Sequence, residues 1–133
     1  MTKKEGGLLD YCLQKPGAYA DQPFGPESLV VKVAGHIFAQ FGGGRERDLV
    51  TFKCSREVGD FYRNQYPGLV TRGWHCPSAQ QPYWNSLVPE KIPEAELLNM
   101  ADHAYTVVIG KLSRREKELL KAQIDSGAPT PEM

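Results

Sequence analysis

This 133-residue sequence lacks an excess of charge of either sign. Lysine and arginine total 16, aspartate and glutamate total 16, and the formal net charge is zero. That balance argues against a strong sequence-independent nucleic-acid binder, which carries surplus positive charge, and leaves room only for a local basic patch. Cysteine is scarce and odd in number: Cys12, Cys54 and Cys76 stand at spacings used by neither zinc sites nor redox motifs. Free, mostly buried thiols in a reducing compartment are the expectation. No apolar run is long enough to span a bilayer, and Met1-Thr2-Lys3-Lys4 is not followed by the hydrophobic stretch of a signal peptide. The expected location is the cytoplasm. There is no internal repeat and no linker. The length fits one domain, expected over residues 1–126, with a frayed tail at 127–133 containing Pro129 and Pro131.

What is present suffices for a packed core without metal or disulfides: 41% hydrophobic and 24% charged residues. The organising stretch runs from Leu29 to Cys54. Leu29-Val30-Val31-Lys32-Val33 and His36-Ile37-Phe38-Ala39-Gln40-Phe41 are rich in β-branched and aromatic residues, and Gly35 sits where a hairpin needs positive φ. A three-residue loop would place Leu29, Val31, Ile37, Ala39 and Phe41 on one face. Val30, Lys32, His36, Phe38 and Gln40 would then share the other. After a turn over Gly42 to Asp48, a third strand is expected from Leu49 to Lys53. One face of this meander should pack on helices and the other should be mixed.

Around it the expected elements are helical at Lys4 to Lys15, where Leu8, Leu9, Cys12 and Leu13 recur at helical spacing. Ala18 to Ser28 reads as a loop, with Tyr19 and Phe24 plugging into the core. Ser55 is an N-cap for a helix carrying Val58, Phe61, Tyr62 and Tyr66 on one stripe, stopped by Pro67-Gly68. Short strands are expected at Leu69 to Thr71 and Tyr83 to Val88. A long helix follows from Pro93, with Gly110 as its C-cap. Ser113-Arg114-Arg115-Glu116 is a capping-box pattern for a last helix to about Ile124.

No catalytic constellation stands out, and the sequence is read as non-enzymatic. A thiol nucleophile needs a base within hydrogen-bond reach, and His75 and Cys76 are neighbours whose side chains diverge on a strand. The dispersed His75, Cys76 and His103 match no zinc-ligand pattern, so no metal site and no cofactor are expected. Trp74, Tyr83 and Trp84 cluster near His75 and Asn85. They read either as core aromatics or as a small-ligand or protein-binding site made of Trp74, His75, Trp84 and Asn85.

Certain pieces recur in a recognisable order. They are Leu9-Asp10-Tyr11-Cys12-Leu13 with Pro16-Gly17-Ala18; Pro23-Phe24-Gly25-Pro26; Val31-Lys32-Val33 with Gly35 and Ile37-Phe38-Ala39; Lys53-Cys54; Tyr66-Pro67-Gly68; His75; Trp84-Asn85; and His103-Ala104-Tyr105. In that order the chain resembles the YjbR/MmcQ-like family of small bacterial proteins. The resemblance implies an α+β fold of frataxin/CyaY-like, "double wing" type, an antiparallel sheet with helices packed on one face. It also implies DNA binding, a label resting on fold-level analogy. Contacts to phosphates would then come from Lys32, Arg45, Arg47, Lys53 and Arg72, with Gly42-Gly43-Gly44 admitting close backbone approach. Frataxin-type iron binding is not carried over, because Glu5 and Asp10 stand among Lys3, Lys4 and Lys15.

Overall fold

The structure, a computed structural model, describes residues 2–42, 49–73 and 76–126. It is an α+β arrangement in which helices pack on one face of an antiparallel sheet. Among the described residues the strands are β1 (Tyr19–Asp21), β2 (Ser28–Val33), β3 (His36–Gly42), β4 (Val50–Lys53), β5 (Val70–Arg72) and β6 (Trp84–Leu87). They line up as β1-β2-β3-β4-β6-β5, each neighbour antiparallel. The last strand in sequence therefore sits inside the sheet, and the short β5 forms an edge. β1 is a strand where the sequence suggested only loop. Tyr19 pairs with Lys32 and Ala20 with Val31, so β2 supplies the order that three residues cannot generate alone.

The central hairpin differs from expectation in its turn. Ala34 and Gly35 both have positive φ (51° and 82°), the signature of a two-residue type I′ turn rather than a three-residue loop. Val33 pairs with His36 and Lys32 with Ile37, but Val31 pairs with Ala39. Phe38 is the extra residue of a β-bulge. A bulge sends two successive side chains to one side, so Phe38 and Ala39 are both fully buried on the helix face. The even–odd partition is thus corrected: Phe38 joins the core and Ile37 turns to the other face.

Four helices lie among the described residues: α1 (Lys3–Leu13), α2 (Arg56–Gln65), α3 (Glu94–Lys111) and α4 (Arg114–Ser126). α1 survives Gly6-Gly7 because Thr2 and Glu5 form a capping box and Leu8 and Cys12 are buried. Ser55 caps α2 as expected, its Oγ accepting the Val58 N–H at 3.2 Å. Phe61, however, is 57% exposed, and the helix buries Tyr62 instead. α3 starts after Pro93 and runs through Gly110, which is not its cap. The chain leaves helical geometry at Leu112, an extended and buried residue. The capping box of α4 is present: Glu116 N–H donates to Ser113 Oγ at 3.1 Å, and Ser113 N–H donates to Glu116 Oε1 at 3.0 Å.

The core lies between the sheet and α1 and α3. Val31, Phe38, Phe41, Val50 and Phe52 meet Leu97, Met100, Ala101, Ala104 and Val108 there. Phe38 packs edge-on against Tyr105 with ring centroids 5.6 Å apart, a contact worth about 0.5–1.5 kcal/mol beyond its buried area. Asp102 locks α1 to α3, accepting from the Tyr11 hydroxyl at 2.6 Å and pairing with Lys15. Among the described residues no helix is long and apolar enough to cross a membrane. The expected tail, residues 127–133, and residues 43–48 of the expected turn lie outside the described residues.

Candidate functional site

The sheet opens beside the bulge at Phe38. β2–β3 pairing runs up to Val33 and His36, and β4–β6 pairing runs up to Lys53 and Trp84. Pairing between β3 and β4 stops lower, at Ala39 and Phe52. The two central strands part above that point, leaving a notch. A cleft of about 500 Å³ occupies it, within the range of small-molecule sites. Lys32, His36 and Ile37 form one wall, Lys53 and Trp84 the other. The end of α3 contributes Val108, Lys111 and Leu112, and the β1–β2 loop contributes Pro23 and Phe24 at the rim. Phe24 is 63% exposed rather than plugged into the core, because pairing of β1 with β2 holds its loop beyond the sheet.

The cleft is cationic and aromatic. Lys53 Nζ lies 4.8 Å from the Trp84 ring centroid and 5.9 Å from that of Tyr83. Lys111 Nζ lies 5.6 Å from the same Tyr83 ring. Among the described residues no carboxylate stands within ion-pair distance of either ammonium. Burial, and then the charge of Lys111, push the pKa of Lys53 down. The other basic side chains here are already engaged. Lys32 Nζ sits 2.7 Å from Asp21 Oδ2 with its side chain 14% exposed, and this bond holds Asp21 below its ordinary value. His36 Nε2 lies 2.6 Å from Glu116 Oε2.

The structure brings together three of the residues singled out from sequence, Lys32, Lys53 and Trp84, and separates others. Asn85 follows Trp84 on β6 and so points to the opposite face. It is buried there, accepting from Arg63 and donating to the Gly59 carbonyl at 3.3 Å, which ties α2 to the sheet. Arg72 pairs with Asn85 across β5 and β6, exposed on the sheet edge and away from the cleft. Arg45, Arg47, Trp74 and His75 lie outside the described residues. Cys76 is partly buried, and burial raises its pKa. His103 is committed elsewhere: its Nε2 accepts the Ser55 N–H at 3.0 Å at the start of α2. Lys111 and Phe24 were not anticipated as site residues. Nothing in a lysine at a helix end or a phenylalanine between prolines points to a cleft until the chain is folded.

A family model described as YjbR matches residues 13–107. The chain belongs to the YjbR family. It is 25% identical over 114 residues to the uncharacterized protein YjbR of Escherichia coli strain K12, covering 85% of this chain and 93% of that protein. It is 27% identical over 100 residues to the uncharacterized protein YbdF of Escherichia coli O157:H7, covering 74% and 79%. The crystal structure of Deinococcus radiodurans protein DR2400 superposes with a TM-score of 0.76 at 21% identity, covering 88% of this chain and 87% of that one. A Pseudomonas syringae protein superposes with a TM-score of 0.59 at 15% identity, covering 80% and 98%. At these identities the two structures share the fold, and none of the names carries an activity. Lys32, Ile37, Lys53 and Trp84 lie within the YjbR span, whereas Val108, Lys111 and Leu112 follow it.

Proposed function

We propose that this YjbR-family protein is a non-catalytic binding module that takes a small anion with a flat or apolar portion into the notch between β3 and β4. One observation carries the reading. Lys53 and Lys111 converge on the Tyr83 ring, Lys53 also lying over Trp84, without a carboxylate partner among the described residues. A half-buried cation next to a like charge is unfavourable unless something compensates it, and an anion does so directly. Ile37, Val108, Leu112 and the Trp84 face then suit the ligand's apolar part.

The cysteines support binding rather than nucleophilic catalysis. Burial pushes the Cys12 thiol up to about 12 and the Cys54 thiol up to about 11, away from thiolate chemistry. A nucleic-acid strand is the second reading. An aromatic face beside two lysines also suits a stacked base and its phosphate, and the family resemblance points the same way.

Titration with phenyllactate, followed by tryptophan fluorescence, tests the first reading. A saturable change is expected, and it should disappear when Lys53 and Lys111 are both replaced by methionine. Anisotropy with labelled duplex and single-stranded DNA at low and physiological salt tests the second. Binding there with a salt slope of roughly 0.7–0.9 per phosphate neutralised, and no response to phenyllactate, would move the function to nucleic acid.

A further inference from the structure

Lys53 has the surroundings of a nucleophilic amine. It ends β4, where pairing with Trp84 on β6 fixes its backbone while the missing β3 partner leaves its side chain facing the cleft. No acid among the described residues holds its proton, and a second ammonium, that of Lys111, approaches the same Tyr83 ring. Desolvation and a neighbouring cation are the two devices that free a lysine's lone pair near neutral pH. The groups around it are Lys111 from α3, Tyr83 and Trp84 beside and on β6, Lys32 and His36 on the opposite wall of the cleft, and the nearby thiols of Cys54 and Cys76.

We propose that Lys53 captures the carbonyl group of a 2-oxo carboxylate with an apolar side chain as a reversible imine, an inference that rests on the anion-binding reading of the cleft. Lys111 receives the carboxylate, and Trp84 and Ile37 flank the apolar side chain. The neutral Nζ attacks the carbonyl carbon. A C–N bond forms as the C=O π pair moves to oxygen, which takes up a proton, and the nitrogen loses one. The resulting carbinolamine expels its hydroxyl as water when that oxygen is protonated again, and the nitrogen lone pair closes the C=N bond. In net terms an ammonium and a carbonyl give an iminium and water, with no oxidation or reduction. The open mouth of the cleft lets the water leave and return, so the capture reverses.

The test incubates the full chain with phenylpyruvate and then adds sodium borohydride, whose hydride converts the iminium to a stable secondary amine. Intact mass and peptide mapping follow. Phenyllactate, which keeps the carboxylate and ring but lacks the carbonyl, serves as the binding control. A single adduct is expected on the peptide carrying Lys53. In Lys53→Arg the adduct should be lost, because the guanidinium stays protonated and cannot attack the carbonyl. Phenyllactate binding without an adduct, or labelling of Lys53 no greater than that of exposed Lys91 and Lys121, overturns the imine and leaves the anion reading in place. If neither compound binds, the anion reading falls and the imine with it.

Discussion

Two lysines on one sheet face show how neighbours decide a residue's role. Lys32 is matched by Asp21, and the pair is satisfied within the fold. Lys53 has no such partner among the described residues, and burial and Lys111 lower its pKa from the ordinary 10.5. A lysine that binds its proton less tightly when folded costs stability at every pH below its unfolded value. Lys53→Met is therefore expected to raise the urea midpoint at neutral pH, with the difference closing as pH passes about 10.5. Equal midpoints at pH 7 would show that Lys53 is adequately solvated and not poised. A residue that weakens the fold where it stands is the common mark of a site kept for function.

Among the elements, α4 depends on one small residue. Leu120 is its buried side chain, and it seats against Gly17, at the corner between α1 and β1. A Cβ on Gly17 would lie 2.4 Å from Leu120 Cδ1, and φ there is +76°. Gly68 has nearly the same φ, +77°, with nothing within 4 Å. Gly68→Ala should lose only the left-handed backbone cost, about 1–2 kcal/mol. Gly17→Ala should lose that and a further ~1–3 kcal/mol from overpacking. Chemical denaturation measures the two costs, and amide exchange should show protection lost selectively in α4 for Gly17→Ala. Matching losses in the two variants would mean that Leu120 moves aside freely and the seat is unimportant.

For the whole molecule, ionisation sets an acid limit. Hydrogen bonds from Lys32 and Arg63 hold Asp21 and Asp60 below 3.8. Burial works against Asp102, yet the bonds from Lys15 and Tyr11 keep it low as well. Glu116 is held at about 2, first by the Ser113 backbone N–H and then by His36. His103 is held below 6.5 by burial. In each case the unfolded chain takes up protons before the folded one. Stability should be full above about 6.5, ease downward as His103 titrates in the unfolded chain, and fall more steeply from 4.5 toward 2. Urea midpoints measured from pH 7 to pH 3 check this. A midpoint that stays level or rises on acidification would contradict the assigned partners.

Sequence alone specifies the α+β class, the central hairpin, the capped starts of α2 and α4 and the stripe of α3. These depend on local chemistry: side-chain period, cap hydroxyls, and Gly35 in a tight turn. It also specifies that Lys32, Lys53 and Trp84 belong to strands. The rest depends on contacts between residues distant in the chain. β1 exists because β2 offers it a partner. β6 lies inside the sheet because the chain returns there after α2. The parity of the hairpin was legible only up to the bulge, since one extra residue at Phe38 exchanges the faces of Phe38 and Ile37. Next to that residue β3–β4 pairing ends, at Ala39 and Phe52, and the cleft lies beyond it. Lys111 and Phe24 reach it from 58 and 29 positions away from Lys53 along the chain, distances over which no local pattern carries information. Trp84 and Asn85, adjacent in sequence, were divided by the alternation of a strand: one faces the cleft, the other holds α2 in place.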